Sequence, residues 1–460
     1  MTTMFENLYK PEQTCWKTGI ADKASILIDS QNYFRAVYEA ICHAEHSIFI
    51  LGWDLDGRID LIRGKEAKEA ECPINLYELI QWKAENNPEL KIYINRWNYS
   101  VFFMQDRDVF ADFKWDWKFP PNVYFCSDYV IPFLGSHHQK IITIDDKMAF
   151  CGGMDIGKER WDERHHHIHF PDRIDEAGTL QLSEKSHQVY QPRHDIQMVL
   201  AGKDTQIFSE IVRRRWLIGA GYEAIPIGEP EEHESIKLPP SVEKDFTDVP
   251  FAVSRTVPKT RKRPARNEII KSFLAEIEQA EKFIYIENQY ATCEEIAEAL
   301  NRQLKEKPDL RVLLVSCDYP KTKLEAKTMW AGRYKFAQIV RRGLSDPARF
   351  IIVYPLCREN GQEQSIYIHS KLMIIDEKIL HVGSANLNNR SMGMDTECDV
   401  SLFGDSPLNQ SRISHIRSDL IREHTGKTVE EINDIIDNKR PLEDLIKQTE
   451  HSRQHLIPIH

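Results

Sequence analysis

The amino-acid sequence repeats the same order of segments in its two halves, and this duplication constrains the fold more than any other feature. Residues 44–50 are matched by residues 280–286, each the end of an amphipathic helix that runs into an apolar stretch. Residues 138–142 are matched in the same way by residues 369–373. The order is kept while the intervening loops differ in length. An internal repeat of this kind predicts two similar structural units within one chain.

Each half of the sequence predicts the same succession of elements. The apolar periodicity indicates helix, strand, helix and strand, then a hairpin through 141–144 or 372–375, and finally a strand and a helix. Strands that alternate with helices are typical of α/β folds. We therefore predict two duplicated α-β-α sandwich halves that pack about a pseudo-twofold axis and share one site.

The boundaries of these units follow from the local composition. A stretch between the halves is rich in proline, acidic at its start and basic at its end, which predicts a connector. The expected divisions are an N-terminal extension at 1–24, a first repeat at 25–220, a connector at 221–265, a second repeat at 266–425 and a C-terminal helical tail at 426–460.

The composition excludes several classes of protein. No apolar run approaches the roughly 18 residues of a membrane-spanning helix, and the N-terminus lacks the pattern of a signal peptide, so a cytoplasmic protein is expected. The formal net charge of −11, from 60 basic and 71 acidic side chains, disfavours a nucleic-acid-binding protein. The 9 cysteines show no C-x-x-C spacing and predict reduced, packed thiols.

The two repeats carry the same pattern of chemically active residues, H-x-K-x4-D. The six residues of the two copies are His138, Lys140 and Asp145, and His369, Lys371 and Asp376. Asp155 and Asn386 lie equally far beyond the two aspartates, so the duplication continues through the pattern. One such pattern is weak evidence of a site, whereas two copies in register are specific.

The spacing within this pattern has a physical reason. Residues two apart on a strand face the same side, so each histidine and its lysine are predicted to project together from a strand. The two aspartates fall at hairpin turns, where a carboxylate accepts backbone N–H groups, and we interpret them as architectural support. Packing about a twofold axis would place both histidines and both lysines around one anion.

These features resemble the phospholipase D superfamily, in which paired H-x-K-x4-D motifs form one active site across duplicated halves. The resemblance covers about residues 25–425. Further motifs look like those of the eukaryotic-type phospholipase D branch, at 152–155, 160–162, 191–195, 284–290 and 383–392. The resemblance implies the phospholipase D fold, present here as a bare catalytic core.

The resemblance also implies roles for the motif residues. His138 is expected to attack phosphorus and form a phosphohistidine, and His369 to protonate the departing alcohol, although the pseudo-symmetry leaves the order of the two open. Lys140, Lys371 and Asn386 would bind the phosphate oxygens. No metal and no cofactor is expected, so activity should persist in a chelator. The catalytic set is His138, Lys140, Asp145, His369, Lys371 and Asp376.

Each catalytic histidine needs a carboxylate to hold its tautomer. Aligning residues 195–202 with residues 397–404 pairs Asp195 with Glu397. We predict that these two carboxylates are the orienting groups, one from each half. The alternative is that they are ordinary carboxylates at the surface or at the edge of the core.

Three further residues are expected to support the pocket: Asp155, His166 and Ser384. An ionised Asp155 would repel a phosphate, so we expect it to accept a bond from a lysine or from the backbone. His166 belongs to a run of histidines at 165–169 that invites a metal site. That run lacks a paired set of carboxylates or cysteines, and no metal is expected there.

Two other segments leave alternatives open. The basic residues at 255–266, with no acid among them, either attract anionic headgroups near a membrane or belong to a solvated linker. The aromatic residues Trp97, Tyr99, Phe102 and Phe103 either line an acyl groove, lie at an interface or pack in the core.

The activity implied by the resemblance is that of a phospholipase D. It would hydrolyse the distal phosphodiester of glycerophospholipids such as phosphatidylcholine or phosphatidylethanolamine to phosphatidic acid and the headgroup alcohol, with transfer to other alcohols as a side reaction. The enzymatic alternatives are a nuclease or phosphodiesterase of the same superfamily and a phosphatidyltransferase that makes cardiolipin. The alternative from another class is a lipid-binding scaffold without turnover.

The expected partner is the surface of a phospholipid membrane, contacted peripherally, and no nucleic acid is expected. By analogy with bacterial enzymes of this type, delivery as an effector by a contractile secretion system is an alternative to a purely cytoplasmic protein. That alternative would add an export apparatus and an immunity protein as partners.

Overall fold

The structure, a computed structural model, describes most of the chain. The described residues are 3–97, 119–174, 189–228, 237–261, 263–318, 323–447 and 452–459, with the backbone alone for 323–328. Among them, no helix combines the length and the apolar character needed to cross a bilayer. All nine cysteines are free thiols, and seven of them are buried.

The first half begins with a long strand and alternates strands with helices. Its strands are β1 (Lys17–Ile28), β2 (Ser47–Gly52), β3 (Lys91–Trp97), β4 (Val123–Asp128), β5 (Ile141–Ile144), β6 (Met148–Gly152), β7 (Arg193–His194) and β8 (Ile196–Ala201). Its helices are α1 (Met4–Leu8), α2 (Asp29–His43), α3 (Gly64–Ala67), α4 (Leu76–Asn86) and α5 (Gln206–Ala220), with a 3-10 turn at Lys203–Thr205.

The second half repeats this plan. Its strands are β9 (Phe246–Val257), β10 (Arg266–Asn267), β11 (Phe283–Asn288), β12 (Arg311–Val315), β13 (Phe350–Glu359), β14 (Gln362–Ser365), β15 (Tyr367–Ile368), β16 (Lys371–Ile375), β17 (Ile379–Gly383), β18 (Glu397–Phe403) and β19 (Gln454–Pro458). Its helices are α6 (Glu268–Ile277), α7 (Glu294–Glu306), α8 (Lys323–Arg341), α9 (Asn389–Gly393), α10 (Pro407–Thr425), α11 (Val429–Asp437) and α12 (Glu443–Ile446), with a 3-10 turn at Pro347–Arg349.

Strand pairing is equivalent in the two halves. In the first half, β2, β3 and β4 are parallel, and β5, β6, β8 and β1 continue the sheet from β2 in antiparallel order. In the second half, β11, β12 and β13 are parallel, and β16, β17 and β18 continue from β11 in the same way. The strand β9 lies between β1 and β18 and pairs with both. The duplicated sheets are therefore joined by hydrogen bonds.

Helices cover both faces of each sheet, because each sheet has two apolar faces to bury. In the first half, α2 and α4 pack on one face and α5 on the other. In the second half, α6, α7 and α8 pack on one face and α10 on the other. The predicted class, two duplicated α-β-α sandwich halves, is confirmed.

The structure differs from the predicted boundaries at the connector and at the N-terminus. The strand β9 begins at Phe246, within the predicted connector at 221–265, and β1 begins at Lys17, within the predicted extension at 1–24. Phe246 and Phe251 are fully buried between the halves, which holds β9 in the sheet. Pro250 lies within β9, opposite Ile20 of β1 but outside the residues that pair with β18, and a strand accommodates proline where one of its sides is unpaired.

The C-terminal tail is also more than helical. Residues 426–460 contain α11 and α12 as predicted, but β19 follows them and pairs antiparallel with β13, with Val353 opposite Pro458. Leu456 is buried in the core as a result. The reason is that β13 has a free edge on the side opposite to β12. The Ile352 carbonyl at that edge accepts from the N–H of Ile459, whereas the next carbonyl, that of Val353, accepts from Ser316 on the β12 side.

Candidate active site

Two short backbone contacts cross between the halves and bring the duplicated motifs together. The strands β7 and β15 pair in parallel, with His194 opposite Ile368. An isolated parallel bridge joins His137 to Thr396. These contacts are equivalent under the duplication, since each joins the residue before a motif histidine to the residue before an orienting carboxylate of the other half.

The crossing pairs each motif histidine with a carboxylate from the opposite half. The Nδ1 atom of His138 lies 2.9 Å from Oε2 of Glu397, and Nδ1 of His369 lies 2.7 Å from Oδ2 of Asp195. Both carboxylates are buried. With Nδ1 held in this way, Nε2 of each ring is the nitrogen available for chemistry. Aligning the two repeats had identified these two carboxylates, but it could not show that each one binds the histidine of the opposite half.

The motif histidines do not lie on strands as predicted. His138 and Lys140 precede β5, and His369 precedes β16, whose first residue is Lys371. The reason is that the backbone N–H of His138 donates to the Thr396 carbonyl at 2.9 Å, which lies in the other half. The corresponding N–H of His369 donates to the carbonyl of His194 at 2.8 Å. The extended segments thus leave their own sheet to reach the opposite repeat.

Each motif lysine folds back onto the backbone of its own histidine. The ammonium of Lys140 donates to the His138 carbonyl at 3.0 Å, and that of Lys371 donates to the His369 carbonyl. Both lysines are buried. Burial lowers the pKa of Lys371 to about 7; the Asp195 carboxylate opposes this shift and Lys140 adds to it. A bound anion would stabilise both ammonium groups.

The positive charge in the pocket favours neutral histidines. Burial lowers the pKa of His138 well below its ordinary range, and the charges of Lys140 and Lys371 lower it further. Burial and neighbouring cations have the same effect on His369. Burial raises the pKa of Glu397 to about 8. A neutral imidazole is the form that can act as a nucleophile.

Two arginines that were given no role lie beside the second histidine. The charges of Arg193 and Arg160 both lower the pKa of His369, after the larger effect of burial. The guanidinium of Arg193 lies 5.2 Å from the ring centre of Tyr367, and that of Arg160 lies 3.7 Å from Asp54. Both arginines belong to motifs at 160–162 and 191–195 that the sequence had marked.

The residues expected to support the pocket lie around the two histidine–carboxylate pairs, which are called dyads below. Asp155 accepts from Lys140 at 3.0 Å and from the backbone N–H of Trp53 at 2.9 Å, so its charge is compensated within the protein, as expected. Asn386 is buried, and its Oδ1 has no hydrogen-bond partner within the part of the chain that the structure describes. The binding of a substrate oxygen by the N–H groups of the Asn386 amide stays a prediction.

Ser384 breaks the symmetry of the two dyads. Its hydroxyl donates to Oε2 of Glu397 at 2.5 Å, on the same atom that holds His138. Gly153 takes the corresponding place beside Asp195, where an added Cβ would lie 2.3 Å from Oδ1. The backbone approaches the Asp195 carboxylate too closely for a side chain, which explains serine in one repeat and glycine in the other.

The motif aspartates lie at the far ends of the motif strands. Asp145 accepts from the backbone N–H groups of Glu45, His46 and Ser47 at 2.7 to 2.9 Å. Asp376 accepts from three consecutive N–H groups of the second half at 2.9 to 3.0 Å. Both have a positive φ, as tight turns require. They are part of the motif but support the fold, and neither reaches the histidines.

His166 lies in a fully buried polar network beneath the pocket. Its Nδ1 lies 3.0 Å from Asp162, and its Nε2 lies 3.2 Å from Glu423. His194 extends the network to Glu287 at 2.8 Å. Because Glu287 and Glu423 belong to the second repeat, the network ties the two halves together at His194, the residue before the orienting carboxylate Asp195.

Four groups of this network could in principle hold a metal ion. Donor atoms of Asp29, His166, His194 and Glu423 lie within 4.8 Å of one another. Both ring nitrogens of His166 make hydrogen bonds to carboxylates, however, which is the pattern of an imidazolium. Burial opposes protonation, but Asp29 and Asp162 outweigh it and raise the pKa of His166 to about 10. The protonated ring of His166 therefore neutralises negative charge of the carboxylates in this cluster.

The remaining histidines of the run make contacts of their own, and the rings of His165 and His167 pack edge-on with their centres 6.0 Å apart. His167 lies 2.9 Å from Glu359, and His169 lies 2.7 Å from Gln362.

Trp97 is buried and stacks on Trp53 with ring centres 6.0 Å apart, whereas the other aromatic residues expected in its segment lie outside the described residues. Trp53 also meets the His138 ring edge-on at 5.9 Å, a contact that sequence reasoning had missed.

Two family models match the chain. The model described as "Phospholipase D" matches residues 40–295, more than half of the chain. The model described as "Cardiolipin synthase, PLD-like domain" matches residues 273–419. Together they cover both motifs.

Several curated relatives are phospholipases D. "Phospholipase D alpha 4" from Arabidopsis thaliana is 23% identical and aligns with 86% of this chain and 64% of its own length. "Phospholipase D A" from Dictyostelium discoideum is 26% identical, over 80% of this chain and 32% of its own length. "Phospholipase D2" from Bos taurus is 22% identical, over 79% and 47%. The chain spans less than two thirds of each of these relatives.

The fold has a counterpart among solved structures. The phosphatidylserine synthase of Haemophilus influenzae superimposes with a TM-score of 0.57 at 14% identity, over 91% of this chain and 90% of that protein. At this identity the likeness concerns the fold alone. It agrees with the duplicated α/β architecture described above.

Proposed function

We propose, from the premise that this chain belongs to the phospholipase D family, that it hydrolyses the distal phosphodiester of glycerophospholipids. The products would be phosphatidic acid and the headgroup alcohol. Support for a metal-independent mechanism comes from one observation above all: the two crossed histidine–carboxylate dyads, His138 with Glu397 and His369 with Asp195. The two buried lysines of the motifs stand beside them.

The first step forms a covalent intermediate. The bound phosphodiester is an anion, and its charge favours the imidazolium form of His369, with a hydrogen on each ring nitrogen. Nε2 of His138 attacks phosphorus while the bond from phosphorus to the headgroup oxygen breaks, and the Nε2–H of the His369 imidazolium gives its proton to that oxygen. Glu397 fixes the tautomer of the neutral His138, and Asp195 orients the His369 ring through Nδ1. The pKa values lowered by burial keep the attacking ring neutral.

The second step releases the lipid. Water attacks the phosphohistidine, His369 now takes a proton from that water, and the bond between phosphorus and His138 breaks. A second alcohol in place of water yields a new phosphatidyl ester. Lys140, Lys371 and the Asn386 amide stabilise charge on the non-bridging oxygens in both steps, which is electrostatic work that fixed protein groups can perform.

Product analysis on phosphatidylcholine vesicles tests this proposal. The wild-type protein is incubated in excess chelator, with and without ethanol, and choline, phosphatidic acid and phosphatidylethanol are measured. We expect choline with phosphatidic acid, and phosphatidylethanol when ethanol is present. Cleavage of naked DNA without lipid turnover would indicate a nuclease instead. Formation of cardiolipin from phosphatidylglycerol, with no other product, would indicate a phosphatidyltransferase. Binding to vesicles without any product would indicate a lipid-binding scaffold.

The low pKa of Lys371 predicts the alkaline limit of activity. Above about pH 7 this ammonium loses its proton in the free enzyme, so kcat/KM for a phosphodiester should fall as the pH rises. Lys371→Arg should move this limb to higher pH, because a guanidinium stays charged. Lys378→Arg, in the turn after β16, is the matched control. Superimposable alkaline limbs in wild type and Lys371→Arg would contradict this origin of the limit.

A further inference from the structure

We propose that an exposed apolar loop beside the active site inserts into the surface of an anionic phospholipid membrane and so presents the pocket to its substrate. The inference rests on the proposed function and names the surface through which that function meets the lipid. The loop is residues 129–134, and with Met394 it forms what is called here the apolar rim. Its bulky side chains are Tyr129, Val130, Phe133, Leu134 and Met394.

The apolar rim gathers exposed hydrophobic side chains in one place. Phe133 is 81% exposed and Tyr129 is 73% exposed, which are the two largest values among the large hydrophobic side chains that the structure describes. Five of the twelve such exposed side chains belong to the rim. Scattered exposed hydrophobic residues need no explanation, but a contiguous patch of this kind marks an interaction site.

The rim is anchored at both ends. At its start, the backbone N–H of Val130 donates to Asp128 at 2.8 Å, and Asp128 is buried and ion-paired with Arg215. At its end, Arg390 donates to the Leu134 carbonyl at 2.9 Å. The tip is therefore displayed outward by a fixed base, as an inserting loop requires.

Two further backbone contacts lie between the apolar rim and the catalytic histidine. The backbone N–H of Ser136 donates to Asp395 at 2.8 Å, and His137 bridges to Thr396, the residue before Glu397. His138 follows directly in the sequence. A membrane contacted by the rim would therefore lie over the mouth of the pocket, where a lipid headgroup must enter.

Arginines flank the apolar rim. The pKa of Arg214 is lowered by the partial burial of its side chain and by repulsion from the nearby charges of Arg255, Arg263 and Arg266. Arg263 also acts on Arg215, the partner of Asp128 at the base of the rim. The helix α9, which carries Arg390, packs beside β10 with Arg266. The basic groups thus border the rim on the side of β10.

Not every residue of the basic stretch at 255–266 is available for this contact. Arg255 is buried, lies 3.0 Å from Glu268 and covers the ring of Trp16 at 3.9 Å. Arg263 and Arg266 retain partial exposure, and Arg214 is exposed. These three supply the local positive charge, although the whole chain carries −11.

The combination of charge and apolar tip favours a bilayer as the occupant. Anionic headgroups attract guanidinium groups within a Debye length of the surface, and bulky apolar side chains gain free energy when they enter the acyl boundary. A protein with a net negative charge would otherwise be repelled by such a surface. The patch therefore both binds the membrane and sets the orientation of the pocket.

Vesicle sedimentation tests the rim in a background that makes no product. Phe133→Ser and its matched control Leu408→Ser are each combined with His138→Ala and mixed with vesicles of phosphatidylcholine and phosphatidylglycerol. Leu408 is 64% exposed and lies in the first turn of α10, far from residues 129–134 in the sequence. We expect Phe133→Ser to lower the partition coefficient about tenfold or more, as burial of such a side chain implies, and Leu408→Ser to leave it unchanged.

A comparison of anionic with neutral vesicles tests the arginines separately. The double variant Arg263→Gln/Arg266→Gln should lose the preference for anionic over pure phosphatidylcholine vesicles. Equal vesicle binding by Phe133→Ser and its parent would overturn the proposal. The proposal would also be overturned if the His138→Ala parent does not bind vesicles and instead forms a dimer that Phe133→Ser dissociates. The apolar rim would then join two copies of the chain.

A soluble substrate separates this proposal from the proposed function. With His138 intact, turnover of a short-chain phosphatidylcholine dispersed as monomers should be the same in wild type and Phe133→Ser, while turnover on vesicles falls in the variant. A wild-type protein that turns over neither substrate would refute the proposed function, and the sedimentation result would still decide the role of the rim. Loss of monomer turnover in Phe133→Ser would show that the loop shapes the pocket and would overturn its assignment as a membrane contact.

Discussion

His138→Ala and His369→Ala are each expected to lower turnover of phosphatidylcholine by at least about 10⁴-fold. The first variant lacks the nucleophile and the second lacks the general acid, and groups that act as one unit cannot compensate for each other. The double variant should be no slower than the slower single variant. Release of choline over time measures the effect.

The control for this experiment is a histidine outside the site. The side chain of His46 is 72% exposed, so His46→Ala should retain wild-type turnover. Circular dichroism and thermal unfolding should show that the two catalytic variants remain folded. Turnover within about tenfold of wild type in either catalytic variant would exclude that histidine from covalent or acid–base catalysis.

Asp195→Asn is expected to have an effect that depends on the leaving group. Because Asp195 holds His369, the proposed acid, its loss should slow release of choline by about 10² to 10⁴-fold. A phosphatidyl ester of p-nitrophenol has a leaving group that departs without a proton, so its first-turnover burst should fall by less than about tenfold. Glu397→Gln should slow both substrates equally, since Glu397 holds the proposed nucleophile.

This comparison also decides the order of the two histidines. If Glu397→Gln, and not Asp195→Asn, shows the dependence on the leaving group, His369 is the nucleophile and His138 is the acid. If both variants lose the same factor on both substrates, the assignment of one dyad to leaving-group protonation is wrong. Rapid-mixing measurement of the p-nitrophenol burst distinguishes these results from a slow second step.

The candidate residues of the site were predictable because their patterns are local. The pattern from His138 to Asp145, and its copy from His369 to Asp376, can be read within a few residues of chain. The pairing of Asp195 with Glu397 followed from aligning the repeats. Arg160 and Arg193 lay inside motifs already singled out, but nothing local indicated that both would stand beside His369.

The parts of the fold that the prediction missed have a different origin. The strand β9 lies in a proline-rich stretch, and its pairing with β1 and β18 depends on partners far away in the sequence. The strand β19 forms because β13 offers a free edge, which no property of residues 454–458 announces. His138 was expected on a strand, but its backbone pairs with the other repeat.

By itself the sequence determined the duplication, the α/β class and the two motif copies, because periodicity and motif spacing belong to contiguous residues. Only the tertiary structure decided that the dyads cross between halves, with His138 and Glu397 separated by 259 positions and His369 and Asp195 by 174. It also decided that the exposed side chains of residues 129–134 lie beside Met394 and Arg390 of the other half. Contacts at such separations depend on how two folded halves pack, and a one-dimensional pattern carries no record of that packing.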